Sequence, residues 1–177
     1  MMNTLKVSLW KQFGASMDML ENAIRLIPDD QWNANKRSFY MAYHCVLFLD
    51  YYLTIPFKRF SAKLPFAFTA EKDLPAEALD DLMPGRIYTK EELLNYLNSC
   101  RNKCRQLIGD LTEEGMNKPW IEEADQMGSP STRNYSVFEI LLYNMRHVQH
   151  HAAQLNLLLR QTINKAPRWV SATKDDL

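Results

Sequence analysis

The chain has 177 residues, and its 21 Lys plus Arg balance 21 Asp plus Glu, so the formal charge is zero. That length is enough for one sizeable core, and the balance argues against a nucleic-acid-binding face, which is usually clearly basic. Glycine is scarce, at 5 residues, while Leu, Ala, Met, Glu, Lys and Gln are plentiful, which favours helix. Three cysteines outside any small secreted framework read as free thiols in a reducing compartment. Residues 1–10 have neither the apolar run nor the small-residue cleavage site of a signal peptide. The longest apolar run, about 39–55, is interrupted by His44 and Asp50 and reads as a buried helix rather than a membrane span. The expectation is a soluble, cytoplasmic protein with no nucleic-acid or membrane partner.

A first helix is predicted over about 3–27. Leu9, Phe13, Met17, Leu20, Ile24 and Ile27 recur at spacings of four and three and draw one apolar stripe. Pro28 ends it. The short link that follows predicts antiparallel packing of the first helix against the second, at about 36–53. That second helix carries Tyr40, His44, Leu47 and Tyr51 on one face and Phe39, Val46 and Leu53 on others, the pattern of a deeply packed helix. Residues 56–88, punctuated by four prolines before Gly85, read as a long connection with one helical piece at about 76–82. Its phenylalanines, at 57, 60, 66 and 68, suit packing over a pocket mouth.

A third helix is predicted over about 89–111, opened by the capping-box pair Thr89 and Glu92. Its stripe is Leu93, Leu97, Cys100, Cys104, Leu107 and Leu111. Residues 112–133 form a second long connection with Gly and Pro breakers. The fourth helix opens at Ser136, with Glu139 completing a second capping box, and runs to about Lys165. The polar tail 168–177 is expected to fray. With no internal repeat, residues 1–177 read as a single all-α domain, a four-helix bundle with long connections after helices two and three.

All four histidines fall in the two most core-like segments. The fourth helix holds His147-Val148-Gln149-His150-His151-Ala152-Ala153-Gln154-Leu155. Residues four apart share a helix face, with Cβ atoms about 5–6 Å apart. His147 and His151 can therefore offer one nitrogen each to a single ion. They lie on the stripe Ile140, Asn144, His147, His151, Leu158, whereas His150 borders a polar face through Arg146, Gln149, Ala153, Asn156 and Arg160. The pair His147 and His150 is also geometrically available, but it turns toward solvent. A third ligand has to come from elsewhere, and His44 is the remaining histidine. The competing reading is three unrelated core imidazoles, each needing a partner or costing about 1–3 kcal/mol. Cys100 and Cys104 are also four apart but sit on the core stripe as small hydrophobes. Cys45 points about 100° away from His44 on an ideal helix. Asp50 is read as facing solvent. No histidine is preceded at three residues by Glu, which excludes a di-iron bundle motif. There is no His-Glu-x-x-His helix and no glycine-rich phosphate loop.

His44 on helix two, the capped fourth helix with its His-x-x-His-His-x-x-Gln-Leu run at 147–155, and the turn Pro28-Asp29-Asp30-Gln31-Trp32 together resemble the DinB-like (DinB/YfiT) superfamily. The resemblance covers essentially the whole chain, and its specific part is those few positions. It implies a four-helix bundle holding a divalent metal, commonly zinc or nickel, on His44, His147 and His151. It also implies a metal-dependent enzyme. Characterised relatives include thiol-dependent S-transferases, which suit a site where a bound metal deprotonates a thiol. The 56–88 connection exceeds the family minimum, so the resemblance does not extend to the substrate pocket. Two alternatives stay open: a metal-dependent hydrolase and a non-catalytic, stress-linked dimeric helical scaffold. The implied partners are a small-molecule substrate and a low-molecular-weight thiol, with a homodimer left open. Asn144 and Gln154 flank the histidine pair as candidate supporting contacts. Free imidazole titrates near about 6.5, so acidification from about pH 7 to about pH 5 is expected to release the ion.

Overall fold

The computed structural model describes residues 1–34, 36–55, 59–120 and 135–177. Among these the chain is mostly helical, with one small antiparallel pair of strands. The helices are α1 (Met2–Leu26), α2 (Asp29–Ala34), α3 (Lys36–Tyr52), α4 (Lys90–Asp110), α5 (Glu113–Asn117) and α6 (Val137–Ile163). The strands are β1 (Phe66–Phe68) and β2 (Leu82–Pro84), paired so that Phe66 faces Pro84 and Phe68 faces Leu82.

The four long helices follow their apolar patterns closely. Leu9, Phe13, Met17, Leu20, Ile24 and Ile27 are all buried, and so is almost the whole length of α3. Both capping boxes form: Thr89 accepts from Glu92 N–H, and Ser136 accepts from Glu139 N–H, with each glutamate reaching back to the cap's own N–H. Asn164 closes α6 in the left-handed region, at φ 53°, which asparagine tolerates better than most residues.

The packing partners correct one expectation. α1 packs chiefly on α6 and α4, and α3 packs on the same two helices. Helices one and two of the sequence reading are therefore not a major packing pair. The link between them contains α2, whose Trp32 is buried and donates to Tyr88 O at 2.9 Å, and this extra turn carries the chain across. No helix among the described residues is long and apolar enough to cross a membrane.

The connection after α3 is not helical at 76–82. It forms turns and bends that lead into β2, with a 3-10 turn at Glu71–Asp73. Its anchors are side chains. Tyr43 O–H reaches Leu64 O at 2.8 Å, Tyr88 O–H reaches Pro65 O at 2.8 Å, and Leu82 is buried. β2 itself packs on α3. Pro56, Phe57 and residues 121–134 of the two expected connections lie outside the described residues.

The tail does not fray. Thr173 N–H donates to Lys11 O at 3.0 Å, and Trp10 Nε1–H donates to Asp175 O at 2.9 Å. Arg101 of α4 reaches Asp18, Thr173 and Asp175 at 2.6–2.7 Å. Gly14 lies under this strap: a Cβ there would stand 2.5 Å from Thr173 Cγ2, so only glycine lets the tail lie this close to α1. A polar composition hid a segment held by backbone and guanidinium hydrogen bonds, with Val170 and Leu177 packed against the edge of the core.

Candidate metal centre

α3 and α6 pack together, and each turns its histidines into the seam. His44, His147 and His151 meet there, with one ring nitrogen of each within 4.8 Å of the others. The distances are tighter between named atoms. Nε2 of His147 lies 3.2 Å from Nε2 of His44 and 3.1 Å from Nε2 of His151. A Zn–N bond of about 2.0–2.1 Å at a tetrahedral angle puts ligand nitrogens about 3.3–3.4 Å apart. The separations here are close to that. His150 is exposed on the polar side of α6, outside the cluster, as its helical position predicts.

The hydrogen bonds behind two of the rings decide where the protons sit. His151 Nδ1 lies 2.8 Å from Gln154 Oε1, an acceptor, so Nδ1 carries the hydrogen. His44 Nδ1 lies 2.7 Å from Asp80 Oδ2, a contact by distance rather than an aligned hydrogen bond. A carboxylate accepts only, so it too favours a proton on Nδ1. Both rings then present bare Nε2 lone pairs to the Nε2 of His147. That atom can donate to one of them at most. One imidazole lone pair is thus left facing another nitrogen in a buried place, which is costly for neutral groups alone. A cation accepting all three lone pairs removes the conflict. The donor set fits a divalent ion of the kind imidazole prefers.

Burial holds His147 and His151 neutral. His147 is pushed down to about 2, first by burial and then by His151, His44 and His150. His151 is pushed down to about 4, first by burial and then by His44, with the Gln154 hydrogen bond pulling the other way. Neutral imidazole is the ligating form. Proton competition at these two rings therefore weakens, and the pH of release expected from free histidine moves downward.

Phe48 and Tyr52 of α3 wall the site. Phe48 stacks obliquely on His44 at 4.7 Å between centroids, and Phe48 and Tyr52 meet His147 edge-on at 6.0 and 5.9 Å. Both follow His44 by multiples of four, so helical spacing carried the signal, although the sequence reading placed Leu47 and Tyr51 on the histidine face. An open groove of about 570 Å³ along α6 is lined by His147 together with Tyr143, Arg146 and His150.

The remaining candidates sort clearly. Gln154 does support the site, through His151. Asn144 is fully buried and donates to Leu49 O at 3.1 Å, bracing α6 on α3 without touching a histidine. Cys45 is fully buried on an unbroken α3, and burial pushes its thiol well above the usual range, as it does for Cys100 and Cys104. Asp80 was missed, because a lone carboxylate in an irregular connection has no periodicity to mark it. Asp50 does not face solvent. It is 7% exposed, accepts from Tyr96 O–H at 2.7 Å and pairs with Lys103 at 2.6 Å.

A three-histidine cluster across two packed helices, with His151 buried and His44 and His147 half-buried, is positioned to hold a metal ion. The profile of the DinB superfamily matches residues 12–155, a span that includes all three histidines, and the chain belongs to that superfamily. A comparison with curated proteins found no match, and neither did one with solved structures.

Proposed function

We propose that this chain is a metal-dependent enzyme, one domain built on a DinB-type four-helix bundle, in which His44, His147 and His151 hold a single zinc or nickel ion. The observation that carries the reading is the convergence of the three Nε2 atoms, with Gln154 and Asp80 behind two of them. The family supports a divalent ion without specifying which. A divalent ion there lowers the pKa of a thiol or water molecule that reaches it. The protein's own part is to keep His147 and His151 neutral by burial, to fix the orientation of the rings, and to exclude water on the Phe48 and Tyr52 side while the groove beside His147 gives access.

Within that reading we favour thiol S-transfer with a low-molecular-weight thiol, in the cytoplasm. The chain's own three cysteines are buried and their thiols are held protonated, so a reactive sulfur has to come from outside. The test uses cobalt-loaded protein. Adding glutathione, cysteine or another small thiol is expected to produce a sulfur-to-metal charge-transfer band that is absent from metal-free protein and from His147→Ala. A metal-loaded protein that shows no such band with any thiol removes the transferase reading and leaves water as the nucleophile, a hydrolase. A protein that takes up no stoichiometric metal removes the enzyme reading and leaves the scaffold.

A further inference from the structure

The connection between α3 and α4 places one carboxylate behind the histidine cluster, and its two oxygens face different groups. Asp80 Oδ1 accepts the backbone N–H of Leu82 at 3.1 Å, while Oδ2 lies 2.7 Å from His44 Nδ1. Leu82 is the first residue of β2 and is buried. The turn that starts this strand therefore aims the carboxylate. β2 is in turn held by β1 and by α3, and Tyr43, the residue before His44, ties its hydroxyl to Leu64 O and Pro65 O at the other end of the hairpin. The hairpin and the histidine are thus fixed to the same turn of α3.

We propose that Asp80 is a positioning residue that acts through His44. It holds the ring in the Nδ1–H tautomer so that the bare Nε2 faces His147 and His151. This rests on the three-histidine metal reading. Carboxylate partners behind ligating histidines orient the ring, and losing one costs about 10–100-fold in metal affinity. The helices alone do not supply this contact: Gln154 on α6 serves His151, and His147 Nδ1 has no partner among the described residues. His44 depends on the hairpin for its partner.

Both oxygens are needed, and that makes the proposal testable. A carboxylate accepts at two oxygens, but an amide accepts at one and donates at the other. In Asp80→Asn, keeping the Leu82 hydrogen bond turns the amide NH₂ toward His44 Nδ1. That favours the Nε2–H tautomer, which cannot ligate. A side chain that merely shapes the turn would be rescued by asparagine; a positioning carboxylate would not.

The experiment takes full-length wild type, Asp80→Asn and Asp80→Ala through two measurements. Zinc affinity is read by chelator competition, and the His44 ring nitrogens are read by ¹⁵N chemical shifts in the metal-free protein. Both variants are expected to keep the wild-type helical spectrum, to bind zinc about 10–100-fold more weakly, and to shift His44 toward Nε2–H. Wild-type zinc affinity in Asp80→Asn would overturn the proposal, since the turn alone would then account for the residue. If Asp80→Ala does not fold, Asp80→Asn decides. Should wild type bind no zinc, the metal reading fails separately, and the His44 shifts still decide: a tautomer that changes with residue 80 upholds the positioning, and one that does not overturns it.

Discussion

α3 carries two buried polar clusters six residues apart, and they differ in one respect. Around Asp50 each oxygen of the carboxylate has a partner: Lys103 on Oδ1 and Tyr96 on Oδ2, with Thr54 O–H completing the group by bonding Asp50 O. Around His44 the Nε2 atoms of the rings face one another, with Gln154 bonded behind His151 and Asp80 in contact behind His44. The first cluster is closed on itself. In the second, three ring nitrogens converge and are positioned to hold a metal ion. A buried polar group is satisfied in nearly every native structure, so converging lone pairs suit a cation, whereas a self-satisfied cluster acts as a brace between helices.

The sharpest way to break this comparison is to cross the two sites. His151→Ala is expected to abolish stoichiometric metal binding, a loss of at least about 100-fold in affinity, because two ligands are too few for a tight site. Its metal-free stability should change little, since it also removes an unmatched lone pair. Metal analysis alongside denaturant unfolding reads both. Asp50→Ala should do the reverse. It leaves Tyr96 O–H without its acceptor and takes one of three acceptors from Lys103, which keeps Asp50 O and Thr54 Oγ1, at a cost of about 1–3 kcal/mol. Metal content should stay at wild type. Metal loss in Asp50→Ala, or unfolding in His151→Ala, would show that the two clusters are one unit.

Acid gives a graded version of the contrast. In the metal-free protein His147 and His151 resist protonation down to about 2 and about 4, whereas unfolded histidine titrates near about 6.5. Between those values the unfolded chain binds more protons than the folded one, so stability falls as pH drops below about 6.5. The slope is up to about 1.4 kcal/mol per pH unit for each ring. The contribution of His151 levels off below about pH 4, and that of His147 below about pH 2. Denaturant titrations from pH 7 to pH 4 measure it, and subtracting the same series for His151→Ala isolates that ring's share. Equal slopes in the two proteins would mean that His151 is not held neutral by the fold.

The smallest expected effect is at His150. His150→Ala should keep full metal occupancy and shift stability by less than about 0.5 kcal/mol, as exposed substitutions usually do. A metal deficit there would bring the third histidine of the run back into the site.

The helices and the His147–His151 pair were legible because both rest on period, whereas His44 was reached as the remaining histidine and through the family resemblance. Spacings of three and four marked the buried faces of α1, α3, α4 and α6, and the same rule separated His151 from His150 on one helix. What period cannot express stayed hidden. Asp80 takes its place from a two-residue turn into a three-residue strand, not from a repeating face. The tail is held by Arg101 and by backbone carbonyls, contacts between residues 72 or more apart in sequence. Asp50 sat on an otherwise apolar helix and read as an exposed exception, because its partners Tyr96 and Lys103 come from another helix. In each case a polar residue found its partner at long range, where composition and spacing give no signal.

The sealed sulfurs have a practical consequence. Cys45 sits on α3, and Cys100 and Cys104 sit on α4, all buried with their thiols held protonated. Alkylating reagents attack an accessible thiolate, so under native conditions each sulfur reacts only during moments when its helix detaches. The protein therefore carries its own stopwatch for local opening. Timed alkylation read by peptide mass spectrometry would tell whether α3 and α4 come away together or as separate cooperative units, without any introduced label.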